Sequence, residues 1–197
     1  MKKIILLLIL LLPFTVYAQE EEQIGINKQP TKYEALISKT GRQIKYVDIK
    51  HNKITTTNSS NIYTCIRKVY GKPNHYFYAL SDNIKTFQSP LKEGSLAMIE
   101  YSDLVEVNKA IDKMNSEAQS DFETDPYNLV NEFCTVDHFT VGYRIGYKNN
   151  TEFSPGNYFY IQLEKYSGYY RLSSNEKMNE AFKSAQAMIE ELMESEK

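Results

Sequence analysis

Two hydrophobic periods share this chain, and their order constrains the fold more than any other feature. Over residues 139–148 apolar and polar residues alternate, with Phe139, Val141, Tyr143, Ile145 and Tyr147 on one side and Thr140, Gly142, Arg144, Gly146 and Lys148 on the other. A period of two is that of a strand with one buried face. Upstream, Leu104, Val107, Ile111, Met114 and Ala118 recur at three- and four-residue steps; downstream, Met178, Ala181, Phe182, Ala185, Met188, Ile189 and Leu192 do the same. Those stripes belong to one-sided helices. One-faced strands and one-striped helices bury each other in layers, so the expected class is α+β: an antiparallel sheet with two amphipathic helices packed on one face.

The remaining elements are placed by turn and cap chemistry. Residues 34–38 and 43–49 flank Thr40-Gly41 and are expected as a hairpin, followed by a polar loop or weak edge over 51–61. Residues 62–70 and 76–80 form a second hairpin around Gly71-Lys72-Pro73-Asn74, and 81–93 is a connection. Residues 96–101 are a short strand, after which Ser102-Asp103 with Glu106 offers a capping box for the first long helix. Pro126 ends that helix; a long, bent strand is expected over 133–147, then strands over 158–165 and 169–172 joined at Ser167-Gly168. Ser173 with Glu176 starts the last helix. Residues 101–111 can be laid over 172–182 at an offset of 71, matching Ser102 to Ser173, Asn108 to Asn179 and Ala110 to Ala181. A duplicated β-β-α unit explains this, and so does shared helix-start chemistry.

The N-terminus has a different character. Lys2 and Lys3 precede an unbroken apolar run over 4–12, Pro13 breaks it, and Val16-Tyr17-Ala18 has the small residues of a cleavage site. This is a secretory signal peptide over 1–18, cut after Ala18; nine apolar residues are fewer than half the roughly 20 that span hydrocarbon. A mobile tail over 19–32 follows, carrying Glu20, Glu21 and Glu22, and a single domain over 33–197, its two pseudo-repeats at 33–121 and 129–197 if the duplication holds. The protein is therefore expected to be exported, periplasmic or extracellular, with no stable membrane insertion after cleavage. The short Lys-Lys start and the excess of Lys over Arg read as bacterial. Here composition bears on function: without the leader's two lysines, 21 basic residues face 25 acidic ones, which is no footprint for nucleic acid. Hydrophobic residues at 42% and charged residues at 24% exclude a collagenous or wholly disordered chain. An oxidising compartment permits a disulfide between Cys65 and Cys134, the only two cysteines; as small buried hydrophobes they would remain free.

No phosphate loop, dinucleotide fingerprint, nucleophile elbow, His-Glu-x-x-His or Cys-x-x-Cys motif occurs, so no cofactor or metal is expected. Cys134, Asp137 and His138 invite a nucleophile reading, but on a strand residues four apart are separated by roughly 13 Å, too far for a thiol and imidazole to bond. The better candidate is the sheet face opposite the helices. If Phe159, Ile161 and Leu163 point inward with Tyr170 and Leu172, then Tyr158, Tyr160, Gln162, Tyr169 and Arg171 join Arg144 outside, over gaps at Gly142 and Gly146; Tyr76 and Tyr78 are expected to face outward in the first half. Tyr supplies large rigid contact area with a polar tip and Arg supplies directed donors, so such a face suits an envelope protein or glycan. Tyr also favours strands for packing alone. Two readings compete with a noncatalytic binding or accessory protein: a carrier of a small apolar ligand or lipid in a cavity between helices and sheet, and an enzyme using Cys134 and His138.

Overall fold

The computed structural model describes residues 29–38, 43–87, 94–124, 129–146, 157–172 and 174–197. The predicted leader, the Thr40-Gly41 turn, Pro126, Gly156, Tyr147, Lys148 and Ser173 lie outside these residues. The chain runs α1 (Lys32–Ile37), β1 (Tyr46–Thr55), β2 (Asn61–Val69), β3 (His75–Ser81), a 3-10 turn (Ile84–Phe87), β4 (Leu96–Glu100) and α2 (Tyr101–Thr124). It continues with β5 (Val130–Cys134), β6 (Thr140–Arg144), β7 (Tyr158–Gln162), β8 (Tyr169–Arg171) and α3 (Asn175–Glu194). The class is α+β, as the two periods require. Instead of one sheet there are two antiparallel meanders, β1-β2-β3-β4 and β5-β6-β7-β8, each pairing strands in sequence order. A bridge between Thr56 and Leu172, with Thr57 N–H donating to the Arg171 carbonyl, joins the end of β1 to the end of β8.

Both long helices bury their stripes against the same side of the two sheets. Leu104, Val107 and Ile111 of α2 and Met178, Phe182 and Ile189 of α3 share one core with Ile62, Ile66 and Leu80 of the first sheet and Val141 and Ile161 of the second. Phe182 sits at the seam, edge-on to Tyr78 at 5.2 Å and tilted against Phe139 at 5.7 Å. Further along α2, Met114 and Ala118 cover Tyr143, whose hydroxyl bonds Asp121 and accepts from Asn131 at 3.0 Å. The helices meet through amides as well: Asn108 donates to the Phe182 carbonyl at 3.2 Å and to Gln186 at 2.8 Å, and Asn175 donates to Asn115.

Several local expectations are corrected. Residues 33–37 are helical, not strand: Thr31 and Glu34 form a reciprocal capping box, and Tyr33 is buried beneath. Of the two alternatives for 51–61, a polar loop or a weak edge, residues 51–55 take the edge: they are the second half of β1, the outer strand of its sheet, with an irregularity between Ile49 and Asn52 that includes Lys50 at φ 48°. The long bent strand is a hairpin, β5 and β6, turned at residues 135–138 where His138 takes φ 69°. α2 begins at Tyr101 directly from β4, so Ser102 and Asp103 lie inside its first turn, and α3 is capped by Ser174. Tyr76 and Tyr78 face inward and are buried in the main core, because Ala79 and Phe77 are the residues of β3 that look the other way. Each half runs four strands and then a helix, but the helices start 74 residues apart, at Tyr101 and Asn175, and the duplicated β-β-α unit is not confirmed.

The two sheets differ on their far sides. That of the first carries a second small core, in which Tyr33 of α1 and Phe87 of the 3-10 turn lie over Cys65, Val69, Phe77, Ala79 and Met98. Over that of the second sheet, no element among the described residues is packed.

Candidate functional site

The uncovered face follows from β-register. Across β6 and β7, Arg144 is opposite Tyr158, Gly142 opposite Tyr160 and Thr140 opposite Gln162; across β7 and β8, Tyr160 is opposite Arg171 and Gln162 opposite Tyr169. The alternation thus brings Arg144, Tyr158, Tyr160, Gln162, Tyr169 and Arg171 to one side, with Phe139, Val141, Tyr143 and Ile145 buried on the other. They are not equally available. Tyr160 is only 3% exposed, and its hydroxyl donates to Glu132 on β5 at 2.6 Å. Glu132 is opposite Gly142, so the Tyr160 side chain crosses Gly142 to reach it. A Cβ at Gly142 would come within 2.5 Å of the Asn131 carbonyl oxygen and 2.9 Å of the Glu132 Cβ. The glycine is therefore no vacant gap: it admits a close strand neighbour and is roofed by Tyr160. Burial and the Glu132 carboxylate both hold the Tyr160 phenol well above its ordinary pKa, so it remains a neutral donor.

Around that buried tyrosine the outer residues hold one another. Tyr169 meets Tyr160 edge-on at 4.8 Å yet is 56% exposed, and Tyr158 lies 6.0 Å from Tyr160. The Arg171 guanidinium sits 4.3 Å from the centre of the Tyr158 ring. Gln162 is turned inward along the sheet, donating to the Ser167 carbonyl at 2.8 Å and the Lys165 carbonyl at 3.2 Å; it closes the β7–β8 turn. Thr140 is buried and Arg144 half-buried. The accessible part of the face is thus exposed Tyr169 with half-buried Tyr158, Arg171 and Arg144, bordered by exposed Val130 on β5. Val130 and Glu132 escaped the sequence reading because the strand was expected to start only at Phe133 and to run on through the turn, where Asp137 is the one turn-favouring residue and no glycine marks the reversal.

The two cysteines are free and lie in different sheets: Cys65 is buried beneath α1, and Cys134 is exposed on β5. The structure thus has no disulfide between them. Burial pushes the Cys65 thiol up to about 12, which makes it inert. The Cys134 thiol donates to the Thr135 carbonyl at 3.4 Å, and no hydrogen bond links it to His138. Asp137 instead turns to α1: both its oxygens accept the Lys32 backbone N–H at 3.1 Å. Between the helices and the first sheet, a pocket beside Ala185 and Met188 has a volume of about 20 Å³. That is room for one water, not a lipid.

Fold and face together define a two-sheet α+β protein in which the described residues leave one sheet face open. No protein-family model matches the chain, and neither a curated protein nor a solved structure does.

Proposed function

We propose that this chain is an exported bacterial binding or accessory protein, noncatalytic, which holds an envelope protein against the outer face of its second sheet. The observation carrying this reading is the asymmetry between the sheets: α1 and Phe87 cover the first, whereas Tyr158, Tyr169 and Arg171 on the second have no described element over them. Tyrosine and arginine are the side chains that most often dominate protein interfaces. The Arg171 guanidinium over the Tyr158 ring and the edge-on contact of Tyr169 with Tyr160 fix these side chains before a partner arrives, which lowers the ordering cost of association.

The test is quantitative capture from bacterial envelope extract by purified residues 19–197, beside a Tyr158→Ala/Tyr169→Ala/Arg171→Ala variant with unchanged circular dichroism. Tyr160 is left intact because it is structural. Capture of one protein by the wild type, lost in the variant, supports the reading; equal capture by both places binding elsewhere. A captured species that survives protease treatment of the extract is a glycan and replaces the protein partner. The export half of the proposal is checked separately by expressing the full chain in a bacterium and sequencing the N-terminus of the exported product, expected to start at Gln19.

A further inference from the structure

Four strands end the two sheets, and three of their outer edges are joined, broken or held. β8 is joined to β1 by the Thr56–Leu172 bridge and by the Thr57 N–H on the Arg171 carbonyl. β1 is broken by its irregularity between Ile49 and Asn52, and carries Lys50 and Lys53. β4 is held at both ends: its Leu96 N–H donates to Glu164 at 3.0 Å, and its Glu100 carboxylate lies 3.2 Å from the Lys32 ammonium of α1. Interruption, lysine and cover are the means by which sheets keep their edges from pairing with other chains.

β5 has none of these. It pairs with β6 in unbroken register from Val130 to Cys134 and contains neither lysine nor proline. Its ladder is bounded by the Ile145 N–H on the Leu129 carbonyl and the Thr135 N–H on the Phe139 carbonyl, both at 2.9 Å. In an antiparallel pair every second residue is bonded to its opposite, so Leu129, Asn131, Phe133 and Thr135 turn their backbone groups to β6 while Val130, Glu132 and Cys134 turn theirs away. The N–H and C=O groups of these last three residues line the outer edge, and among the described residues none of them is hydrogen-bonded. Their side chains are exposed on the Tyr/Arg side of the sheet, whereas Asn131 reaches Glu117 of α2 and Phe133 is half-buried on the helix side.

Backbone donors and acceptors repeating every second residue are met by another extended strand. Glu132, at the centre of the edge, decides whose. Its carboxylate accepts from the Tyr160 hydroxyl and forms no ion pair among the described residues. A second copy that paired all three outward residues about a two-fold axis would set Glu132 against Glu132, and like charges directly opposite destabilise a sheet. A foreign strand with a cationic side chain at that place gains the opposite. We propose that β5 accepts an extended segment of a partner protein as a fifth strand of the second sheet, with lysine or arginine opposite Glu132. This rests on the binding reading above only in taking the partner to be a protein; the groups it uses are backbone groups that the Tyr/Arg face does not contain.

The probe is the blocked peptide Thr-Val-Thr-Lys-Thr-Val-Thr, titrated into isotope-labelled residues 19–197 and followed by NMR. The expected result is saturable shifts of the Val130, Glu132 and Cys134 amides, with slower hydrogen exchange there. When the peptide is extended, its valines and lysine turn their N–H groups to one side and its threonines to the other; N-methylation of the valines and lysine should abolish binding, and N-methylation of the inner threonines should not. Glutamate in place of the peptide's lysine should weaken binding about threefold or more. In Glu132→Gln, which keeps an acceptor for Tyr160, the two peptides should bind equally. Val130→Pro removes an outward N–H without touching the ladder to β6 and should weaken the lysine peptide; if that variant misfolds, the N-methylated peptides make the same test on the wild type. The Tyr158→Ala/Tyr169→Ala/Arg171→Ala variant should bind the peptide as the wild type does, so failure of capture from extract with peptide binding intact removes the Tyr/Arg face and leaves the edge. No saturable binding, equal binding of the two N-methylated peptides, shifts away from β5, or a lysine preference that survives Glu132→Gln would overturn the proposal. So would a concentration-dependent dimer with its β5 amides already protected, which gives the edge to a second copy.

Discussion

Tyr160 shows how a residue on a binding face can belong to the scaffold. Its ring spans Gly142 and its hydroxyl ends on Glu132, so β5, β6 and β7 are tied on their outer side by one side chain. Tyr160→Phe removes a single hydrogen bond and is expected to cost about 1 kcal/mol, whereas Tyr160→Ala opens the surface over Gly142 and should cost about 3 kcal/mol. Urea midpoints of the two variants measure the difference; equal midpoints would mean that the ring contributes nothing. The thiols provide a second check at this scale. Cys134 is exposed and Cys65 buried with its pKa near 12, so a thiol reagent at neutral pH should titrate one thiol per native chain and two after unfolding. Asp137 provides a third, with a definite sign: burial, reinforced by Asp103 and Glu100 and opposed by the Lys32 N–H, holds its carboxyl above the ordinary range. A carboxyl whose native pKa lies above its ordinary 3.8 stabilises the fold most below that value and loses the contribution as pH rises through its native pKa. Asp137→Asn, which keeps an acceptor for the Lys32 N–H, should therefore be more stable than the wild type at pH 7 and equal to it near pH 3. A variant that is less stable at pH 7 would show that the second oxygen's bond matters more than the charge.

Among the elements, those with long uninterrupted periods were legible and those defined by two or three residues were not. The stripes Leu104–Ala118 and Met178–Leu192 are the two long helices, and the hairpin around Gly71 is where turn chemistry puts it. α1 was missed although its marks are present: Thr31 and Glu34 form a capping box, and Tyr33, Leu36 and Ile37 have helical spacing. A six-residue helix has too few turns to outweigh a neighbouring Gly that suggests a hairpin; it persists because Tyr33 finds Phe77 edge-on at 5.3 Å and Arg67 beside it. Its stability is accordingly tertiary and local. Thr31→Ala should cost about 1 kcal/mol in the opening of this helix, seen as faster amide exchange over residues 34–38 with little change in the global urea midpoint. The β5–β6 turn was hidden for another reason. It contains no glycine, and its left-handed position is occupied by His138, a residue that enters this region more readily than most but does not announce it.

For the whole molecule, the layer arrangement was readable because both periods point to a single core, but the division into two sheets was not. Nothing in a strand's own alternation says which strand is its neighbour. The same limit applies to the candidate face: Arg144, Tyr158, Tyr169 and Arg171 were brought together as the alternation requires, while the burial of Tyr160 depends on Glu132 across two strand spacings. The open edge of β5 was out of reach of sequence altogether, since which strands end a sheet is decided only in the fold. Unity of the core has a direct measure. Phe182→Ala removes the ring wedged between Tyr78 and Phe139 and should cost about 3–5 kcal/mol, with both sheets melting in one transition. Separate transitions would mean that the halves are independent. The order in which the molecule assembles follows from the meanders. Every strand pairs with its sequence neighbour, so each sheet closes short loops and can form early. What joins them is remote in the chain: Thr56 with Leu172, Asp82 with Tyr170, Lys32 with Asp137. A chain delivered N-terminus first can therefore complete the first sheet and α2 while the last helix is still unmade, leaving the inner face of that sheet only partly covered and Tyr78 without its Phe182 partner. The late arrival of α3 makes that apolar face the moment of greatest aggregation risk, and a chaperone that shields it would be needed only until Phe182 seats.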